Sequence, residues 1–327
     1  MVRKHILKNI ANEYVTEKEL INKLNITHEK LEHNLNELKE SGYDIRHEKE
    51  RGYKLFNTPD ILEPFMIEHD LKTDYIAHNI HFYQEVTSTN DVAKKFVDND
   101  SPDGTVIIAE KQTAGRSRKH GDWVSPEGGI WMTMILRPDV SLVEASKLTI
   151  VTGVALAKTL HDHFKVNAGI KWPNDILIND KKICGILTEA ITDYDQIKAI
   201  LVGVGMDVNV DEADIPDYLK NTATSVKEEL DIELKRADIL NVFFKIFEQY
   251  YEDFKKGNIK PIISEWRRLS STTGNRVKVY KQNKAMIADA VGIDNQGALI
   301  VELDDGSLEK ITSGECFILD EDEQTIS

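Results

Sequence analysis

Lys171-Trp172-Pro173-Asn174-Asp175-Ile176-Leu177-Ile178-Asn179-Asp180-Lys181-Lys182-Ile183-Cys184-Gly185-Ile186-Leu187 reads as a strand, a turn and a second strand. Asp175–Ile178 is a short apolar run, and Asn179-Asp180 is a residue pair suited to a tight turn. The strand pattern then resumes over Gly185–Ala190. Pro173 constrains Trp172 and stiffens the approach to the first strand. Gly185, directly after an alternating strand, favours close approach of another group, such as a ligand. Two cationic residues, Lys171 and Lys182, flank this pair. Taken singly, Lys182 reads as a solvated turn lysine, as most such lysines are.

On either side of this hairpin, Val106–Ala109, Ile130–Leu136 and Ala199–Val204 are further strand-like runs, while Ser141–Phe164 and Arg236–Lys255 carry helical periodicity. Strands with helices between them predict a mixed α/β domain over 81–268. Beyond it, Gly274–Tyr280, Ala285–Ile293, Ala298–Leu303 and Ser307–Thr312 are short and punctuated by the turns Asn295-Gln296-Gly297 and Asp304-Asp305-Gly306. That pattern predicts a small β-barrel over 269–327, ending in a frayed acidic tail at Asp320–Glu323.

The opening 57 residues follow a third plan. Arg3–Asn12 is a first helix, and Thr16 with Glu19 forms a capping box for a second over Glu17–Leu24. Asn25-Ile26 turns the chain, Thr27 caps a third helix reaching about Ser41, and Gly42 stops it. Leu31, Leu35 and Leu38 share one face of that helix. Tyr43–Ile45 and Gly52–Leu55 then flank a charged tip, completing a winged helix-turn-helix over 1–57. Asn57-Thr58-Pro59-Asp60 breaks the pattern, and 58–80 is a connector. The chain as a whole is expected to be an α+β multidomain protein.

Bulk properties narrow the function classes. The 327 residues carry a net charge of −15, which opposes broad, non-specific nucleic-acid binding while leaving room for a local basic site. No run of about 18 apolar residues occurs, and the start of the chain lacks the apolar core of a signal peptide. Cys184 and Cys316 lie far apart without metal-ligand spacing, as expected of buried or incidental thiols in the cytoplasm. No metal site is expected.

The densest cationic, glycine-containing segment is Gln112-Thr113-Ala114-Gly115-Arg116-Ser117-Arg118-Lys119-His120-Gly121-Asp122-Trp123. Read as a loop, its amides and cations suit phosphate oxygens, and Trp123 suits a base or a pocket lid. It matches neither a P-loop nor a dinucleotide fingerprint. On composition alone, a charged surface loop explains it equally well. Gly203-Val204-Gly205-Met206-Asp207-Val208-Asn209 is a strand passing into a loop and carries no function unaided.

Together, Thr87-Ser88-Thr89-Asn90, Gln112–Trp123, Ser125-Pro126-Glu127-Gly128-Gly129, Lys171–Asp175, Lys182–Leu187, Gly203–Asn209 and Ala223-Thr224-Ser225 resemble, in order and spacing, the biotin–protein ligases. Gly297-Ala298-Leu299 and Ser313-Gly314-Glu315 resemble that family's small terminal barrel, of SH3-like type, and the N-terminal segment resembles the DNA-binding domain of its biotin operon repressors. The resemblance implies a biotin/lipoate ligase-type catalytic domain that joins biotin to ATP as biotinyl-5′-AMP. The biotinyl group would then pass to a lysine of a biotin carboxyl carrier protein or domain. It implies Lys182, Asp175 and Arg118 as catalytic residues. The implied biotin contacts are Ser88, Thr89, Asn90, Gln112, Gly115, Arg116, Ser117, Arg118, Lys182 and Gly185. For ATP and the adenylate they are Arg116, Arg118, Trp123, Lys171, Lys182, Asp207 and Asn209. Mg²⁺ would accompany ATP, held mainly by its phosphates. Leu187 is a candidate for the apolar wall.

The sequence departs from the family pattern in several places. Ser117 stands where a glycine is usual, offering a hydroxyl to a phosphate, and His120-Gly121-Asp122 replaces a later glycine and arginine. Asp207 stands where asparagine is common, and a carboxylate cannot donate to a ring nitrogen. The resemblance also implies operator DNA as a partner, through Thr27, His28, Lys30, His33, Asn34 and Arg51, and a homodimer. Against DNA, the third helix sets Lys30 and Lys39 against Glu29, Glu32, Glu37 and Glu40. Arg46, Lys49, Arg51 and Lys54 of the wing partly compensate. The alternative is a ligase alone, whose winged helix no longer binds DNA.

Overall fold

The structure, a computed structural model, describes residues 2–118, 121–193, 196–281 and 284–319. It falls into two compact units, Met1–Asp70 and Leu71–Ser327. The expected acidic tail at Asp320–Glu323 lies outside the described residues, as do Lys119 and His120.

The first unit contains α1 (Val2–Ile10), α2 (Glu17–Leu24), α3 (His28–Glu40), the antiparallel pair β1 (Asp44–Glu48) and β2 (Gly52–Asn57), and α4 (Pro64–Glu68). Local chemistry sets the boundaries. Thr16 Oγ1 accepts the Glu19 amide at 3.3 Å while Glu19 Oε2 accepts the Thr16 amide at 3.0 Å, a reciprocal cap for α2. Such a cap stabilises a helix start by about 1 kcal/mol. Asn25 closes α2 in the left-handed region at φ 51°, and Thr27 accepts the Lys30 amide to start α3. Ile6, Leu7, Ile10, Leu20, Leu31, Leu35 and Leu38 fill the core between the helices. Gly52 is required by space: a Cβ there would lie 2.1 Å from the Val15 carbonyl oxygen, which accepts the Tyr53 amide. α4 brings Phe65 into the same core, so the segment expected as a connector is divided. Its first half belongs to this unit.

The second unit is built on an eight-stranded mixed sheet. Its strands are β3 (Ile80–Val86), β4 (Thr105–Arg116), β5 (Asp122–Ser125), β6 (Ile130–Leu136), β7 (Gly169–Lys171), β8 (Asp175–Ile178), β9 (Lys181–Asp193) and β10 (Gln196–Met206). The order is β3-β4-β6-β10-β9-β8-β7, with β5 paired to β4. Only β3 and β4 run parallel. The β8–β9 turn falls at Asn179-Asp180, both with positive φ (48° and 64°).

Helices cover the two faces unequally. On one face α5 (Thr89–Val97) packs Ala93 and Val97 against Ile107, Ile135, Ala199 and Leu201. The other face meets α7 (Leu148–Lys158), where Gly153 lies against Ile186 and Thr149 shares a hydrogen bond with Thr188. α7 follows the short α6 (Leu142–Ala145) and runs into a π-helical turn, Thr159–His163, so the expected single helix over Ser141–Phe164 is broken in two places. α8 (Val226–Leu230), α9 (Arg236–Lys255) and α10 (Lys260–Arg268) follow the sheet. Glu248 of α9 accepts three backbone amides, from Asp74, Tyr75 and Ile76, at 2.8–3.0 Å. At the start of α9, buried Arg236 donates to buried Glu110 at 2.8 Å and to the Gly129 carbonyl at 2.8 Å.

The C-terminal strands are β11 (Arg276–Lys281), β12 (Lys284–Ile293), β13 (Leu299–Glu302), β14 (Leu308–Ile311) and β15 (Cys316–Ile318), in an antiparallel five-stranded sheet ordered β14-β13-β12-β11-β15. This sheet lies in the same unit as the larger one. Trp172 links the two, donating its indole N–H to the Gly297 carbonyl at 3.0 Å.

Candidate active site

The face of the large sheet that carries α5 also carries a strip of glycines. Gly203 pairs with Thr133 and Leu187, while Gly205 pairs with Gly185, which in turn pairs with Asp175. Opposite partners share a face, so these residues form two adjacent rows. Missing side chains leave room for what lies above. A Cβ on Gly203 would come 2.4 Å from Asn90 Oδ1, and one on Gly205 would come 2.5 Å from Trp123 Nε1. On Gly185 it would come 2.8 Å from the Trp123 ring. The close approach expected at Gly185 is therefore made by Trp123, whose Nε1–H is buried without a partner among the described residues.

Above this floor opens a cavity of about 330 Å³. Ser88, Thr89, Asn90, Gln112, Arg116, Ser117, Arg118, Trp123, Lys171, Asp175, Lys182, Gly185 and Leu187 all line it. Stretches far apart in sequence thus meet, and the cations of the Gln112–Trp123 segment face the same space as Lys182. That segment is less of a loop than expected: β4 continues through Arg116 and β5 begins at Asp122, making a hairpin that folds over the sheet. Gly115 permits this, since a Cβ there would lie 2.4 Å from the Trp123 carbonyl oxygen.

The two ends of the cavity differ in charge. At one end, Thr89 N–H and Oγ1–H reach Gln112 Oε1 at 2.8 and 3.1 Å, and Gln112 Nε2 donates to Ser125 at 2.9 Å. Ser88 precedes α5, yet its hydroxyl does not cap the helix. Arg116 is paired to Asp91 at 3.1 Å and Glu189 at 3.4 Å. At the other end, Lys182 Nζ sits 2.7 Å from Asp175 Oδ1 as an ion pair and 4.9 Å over the Trp123 ring. Arg118 donates to Asn174 Oδ1 at 2.9 Å, and Lys171 Nζ lies 5.4 Å over the Phe317 ring.

Several expected contacts fall elsewhere. Asn209 is spent on the fold: its Nδ2 donates to the Leu234 carbonyl at 2.8 Å and its Oδ1 accepts the Leu234 amide at 3.1 Å. Neither Asn209, Asp207 nor Gly115 lines the cavity. Burial pushes the Asp207 carboxyl well above its ordinary value, with the Lys182 charge pulling the other way. A carboxyl that retains its proton can donate, as an asparagine amide does. Ser117 lines the cavity, but its hydroxyl donates to the Gly121 carbonyl at 2.8 Å, closing the hairpin tip. Both cysteines are buried; Cys316 lines the cavity, its thiol pushed up to about 11 by burial against the opposing charge of Lys171.

Other residues of the site escaped sequence reasoning. Phe317 lines the cavity beside Cys316 and the motif residues Gly314 and Glu315, which the sequence reading assigned to the barrel and not to the site, and Asn174 of the Lys171–Asp175 motif anchors Arg118. Asp91 and Glu189 balance Arg116. The spacing of Asp91 and Lys94 on a helix was the one signal available for that cluster.

In the first unit, the residues expected at DNA are engaged locally. His28 Nδ1 lies 2.5 Å from Glu17 Oε1, His33 lies 3.6 Å from Glu37, and Arg51 bonds Glu48 at 3.1 Å. Asn34 Nδ2 donates to the Lys30 carbonyl at 2.6 Å, and Thr27 caps α3.

Comparison with known proteins places these features in context. Residues 82–207 match the biotin/lipoate A/B protein ligase family, and residues 272–319 match the biotin protein ligase C-terminal domain. The bifunctional ligase/repressor BirA of Bacillus subtilis (strain 168) is 32% identical over 311 residues, covering 95% of each chain. The biotin–[acetyl-CoA-carboxylase] ligase of Paracoccus denitrificans is 30% identical over 200 residues, covering 60% of this chain and 82% of its own length. Among solved structures, the biotin protein ligase from Aquifex aeolicus in complex with biotin and ATP aligns with a TM-score of 0.64 and 27% identity, covering 74% of this chain and 99% of that one.

Proposed function

The chain belongs to the biotin protein ligase family, and we propose that it is an ATP-dependent biotin–[acetyl-CoA carboxylase] ligase, working through biotinyl-5′-AMP. One observation carries this reading: Lys182, Arg118 and Lys171 line one end of a cavity, Lys182 paired to Asp175, while the other end, at Ser88, Thr89, Asn90 and Gln112, is polar with Arg116 held by two carboxylates. A neutral ureido head suits the second end and a carboxylate meeting a phosphate suits the first.

In the activation step, a biotin carboxylate oxygen bonds to the α-phosphorus of ATP as the bond to the departing pyrophosphate breaks. Two anions must approach, and fixed cations lower that barrier because they need no reorganisation as charge develops. Lys182 would touch both the carboxylate and the α-phosphate, with Arg118 and Lys171 towards the pyrophosphate; all three line the cavity. Among the described residues no group of three or more His, Cys, Asp or Glu side chains could hold a metal ion. Mg²⁺ would enter on the phosphate oxygens of ATP, which supply most of its ligands.

In the transfer step, the ε-amine of a lysine on a biotin carboxyl carrier domain attacks the acyl carbon and AMP leaves. That amine has an ordinary pKa of about 10.4 and must shed a proton. Asp175, whose Oδ1 lies 2.7 Å from Lys182 Nζ, would orient the amine or take its proton. Asp175→Ala is accordingly expected to slow transfer about 10²-fold or more while slowing activation far less. Single-turnover measurement of each half-reaction checks this, and equal losses in both would reject the division. The reading as a whole is tested with ATP, labelled biotin and an acceptor domain: label should appear on the acceptor only when ATP is present.

We read residues 1–57 as a winged helix-turn-helix and residues 269–319 as an SH3-like barrel. Repression of a biotin operon is the second reading, favoured by the three helices and hairpin and by the function named for the Bacillus relative. The acidic α3 and its carboxylate-paired histidines favour a ligase alone. Adding DNA from the protein's own promoter, with biotin and ATP, separates the two.

A further inference from the structure

Glu189 sits on β9 beside the cavity and is unused in the reaction described above. Its neighbours give it a part. Glu189 Oε2 accepts from Asn90 Nδ2 at 2.7 Å, and Oε1 accepts from Lys94 Nζ at 3.1 Å and Arg116 Nη1 at 3.4 Å. Burial alone would raise its carboxyl, but the hydrogen bonds from Asn90 and Lys94 and the charges of Lys94 and Arg116 outweigh this and hold it below the ordinary range. It is therefore anionic where it meets Arg116.

We propose that Glu189 is a positioning residue that fixes Asn90 and neutralises Arg116, so that this end of the cavity accepts an uncharged hydrogen-bonding head and not an anion. Asn90 is held from both sides. Its Oδ1 accepts from Thr133 Oγ1 at 2.6 Å and lies over Gly203, while its Nδ2 meets the carboxylate. A hydroxyl donor on one side and a carboxylate on the other leave only one orientation for the amide. Arg116 is drawn towards α5 by Asp91 and Glu189 together. Asp91 and Glu189 balance Lys94 and Arg116, two carboxylates against two cations, so this end is neutral. Removing Glu189 leaves Asn90 free to turn and Arg116 short of a counter-charge. A ligand carboxylate could then enter head first, in an orientation that puts it far from Lys182.

This inference rests on the ligase reading, and the experiment keeps the two apart. Biotin-dependent exchange of labelled pyrophosphate into ATP is measured for the full chain, Glu189→Gln and Glu189→Leu, with thermal midpoints alongside. The Gln variant keeps an acceptor for Asn90 and serves if the Leu variant does not fold. The expected result is a biotin KM raised about 10-fold for Gln and about 100-fold for Leu, the range for hydrogen bonds to a charged group. The ATP KM should stay within about twofold, because the cationic end is untouched. A fall in thermal midpoint with an unmoved biotin KM, or an equal rise in both KM values, overturns the proposal. A wild-type chain without biotin-dependent exchange overturns the ligase reading instead.

Discussion

Lys182→Ala is expected to reduce biotin-dependent pyrophosphate exchange by about a hundred- to a thousandfold, the loss seen when one preorganised charge or donor is removed from a transition state. The size follows from position. Lys182 Nζ lies 2.7 Å from Asp175 and 4.9 Å over Trp123, so it is held by two neighbours inside the cavity and pays little to be ordered during reaction. Its removal also leaves Asp175 without its cation, adding a negative charge where two anions must meet. Lys182→Arg tests whether charge alone suffices. A guanidinium keeps the charge but cannot act as a compact point charge against both oxygens, so partial recovery only is expected. Exchange at wild-type level in Lys182→Ala would remove the residue from the mechanism.

Loss of either partner of the Glu110–Arg236 pair is expected to destabilise the second unit by about 3–5 kcal/mol, because the survivor loses a counter-charge at a buried site. Both side chains are nearly sealed, at 5% and 3% exposure, and Arg236 also donates to the Gly129 carbonyl. The pair ties β4, just before the hairpin that covers the cavity, to the start of α9. Glu110→Leu with Arg236→Met should recover most of the loss, with a remaining deficit from the Gly129 carbonyl. All four tryptophans lie beyond residue 71, so their emission during denaturant unfolding follows the second unit alone. Additive losses in the double variant would contradict a direct coupling.

What could be read from the sequence was what local chemistry decides. The Thr16–Glu19 box, the Asn25-Ile26 turn and the Asn179-Asp180 turn depend on residues within a few positions of each other, and all three stand as expected. Helix α9 was legible over its full length because its apolar face repeats through Phe243, Phe247, Tyr251 and Phe254. Elements decided by distant partners were not. α5 starts without a side-chain cap and β15 is only three residues long. The outer half of β4 is polar and is held as a strand by β3 on one side and by β5, which folds back on it where Gly115 leaves room.

The site divides along the same line. Residues that define the cavity by chemical type, such as Lys182, Asp175, Arg118 and Gln112, were identifiable because several motifs occur in register. Residues that act through another side chain were not: Glu189 and Asp91 become visible only as partners of Arg116, and the part of Asn174, though inside a motif, only as the partner of Arg118. Asn209, which the resemblance implied as an adenylate contact, has both ends of its side chain on the backbone of Leu234.

The most direct test is a structure of the chain with a non-hydrolysable analogue of biotinyl-adenylate. The acyl–phosphate linkage should lie within hydrogen-bond reach of Lys182 Nζ, with the ureido ring against Ser88, Thr89 and Asn90. A linkage remote from Lys182, or a bicyclic ring bound at the Lys171 end, would contradict the account.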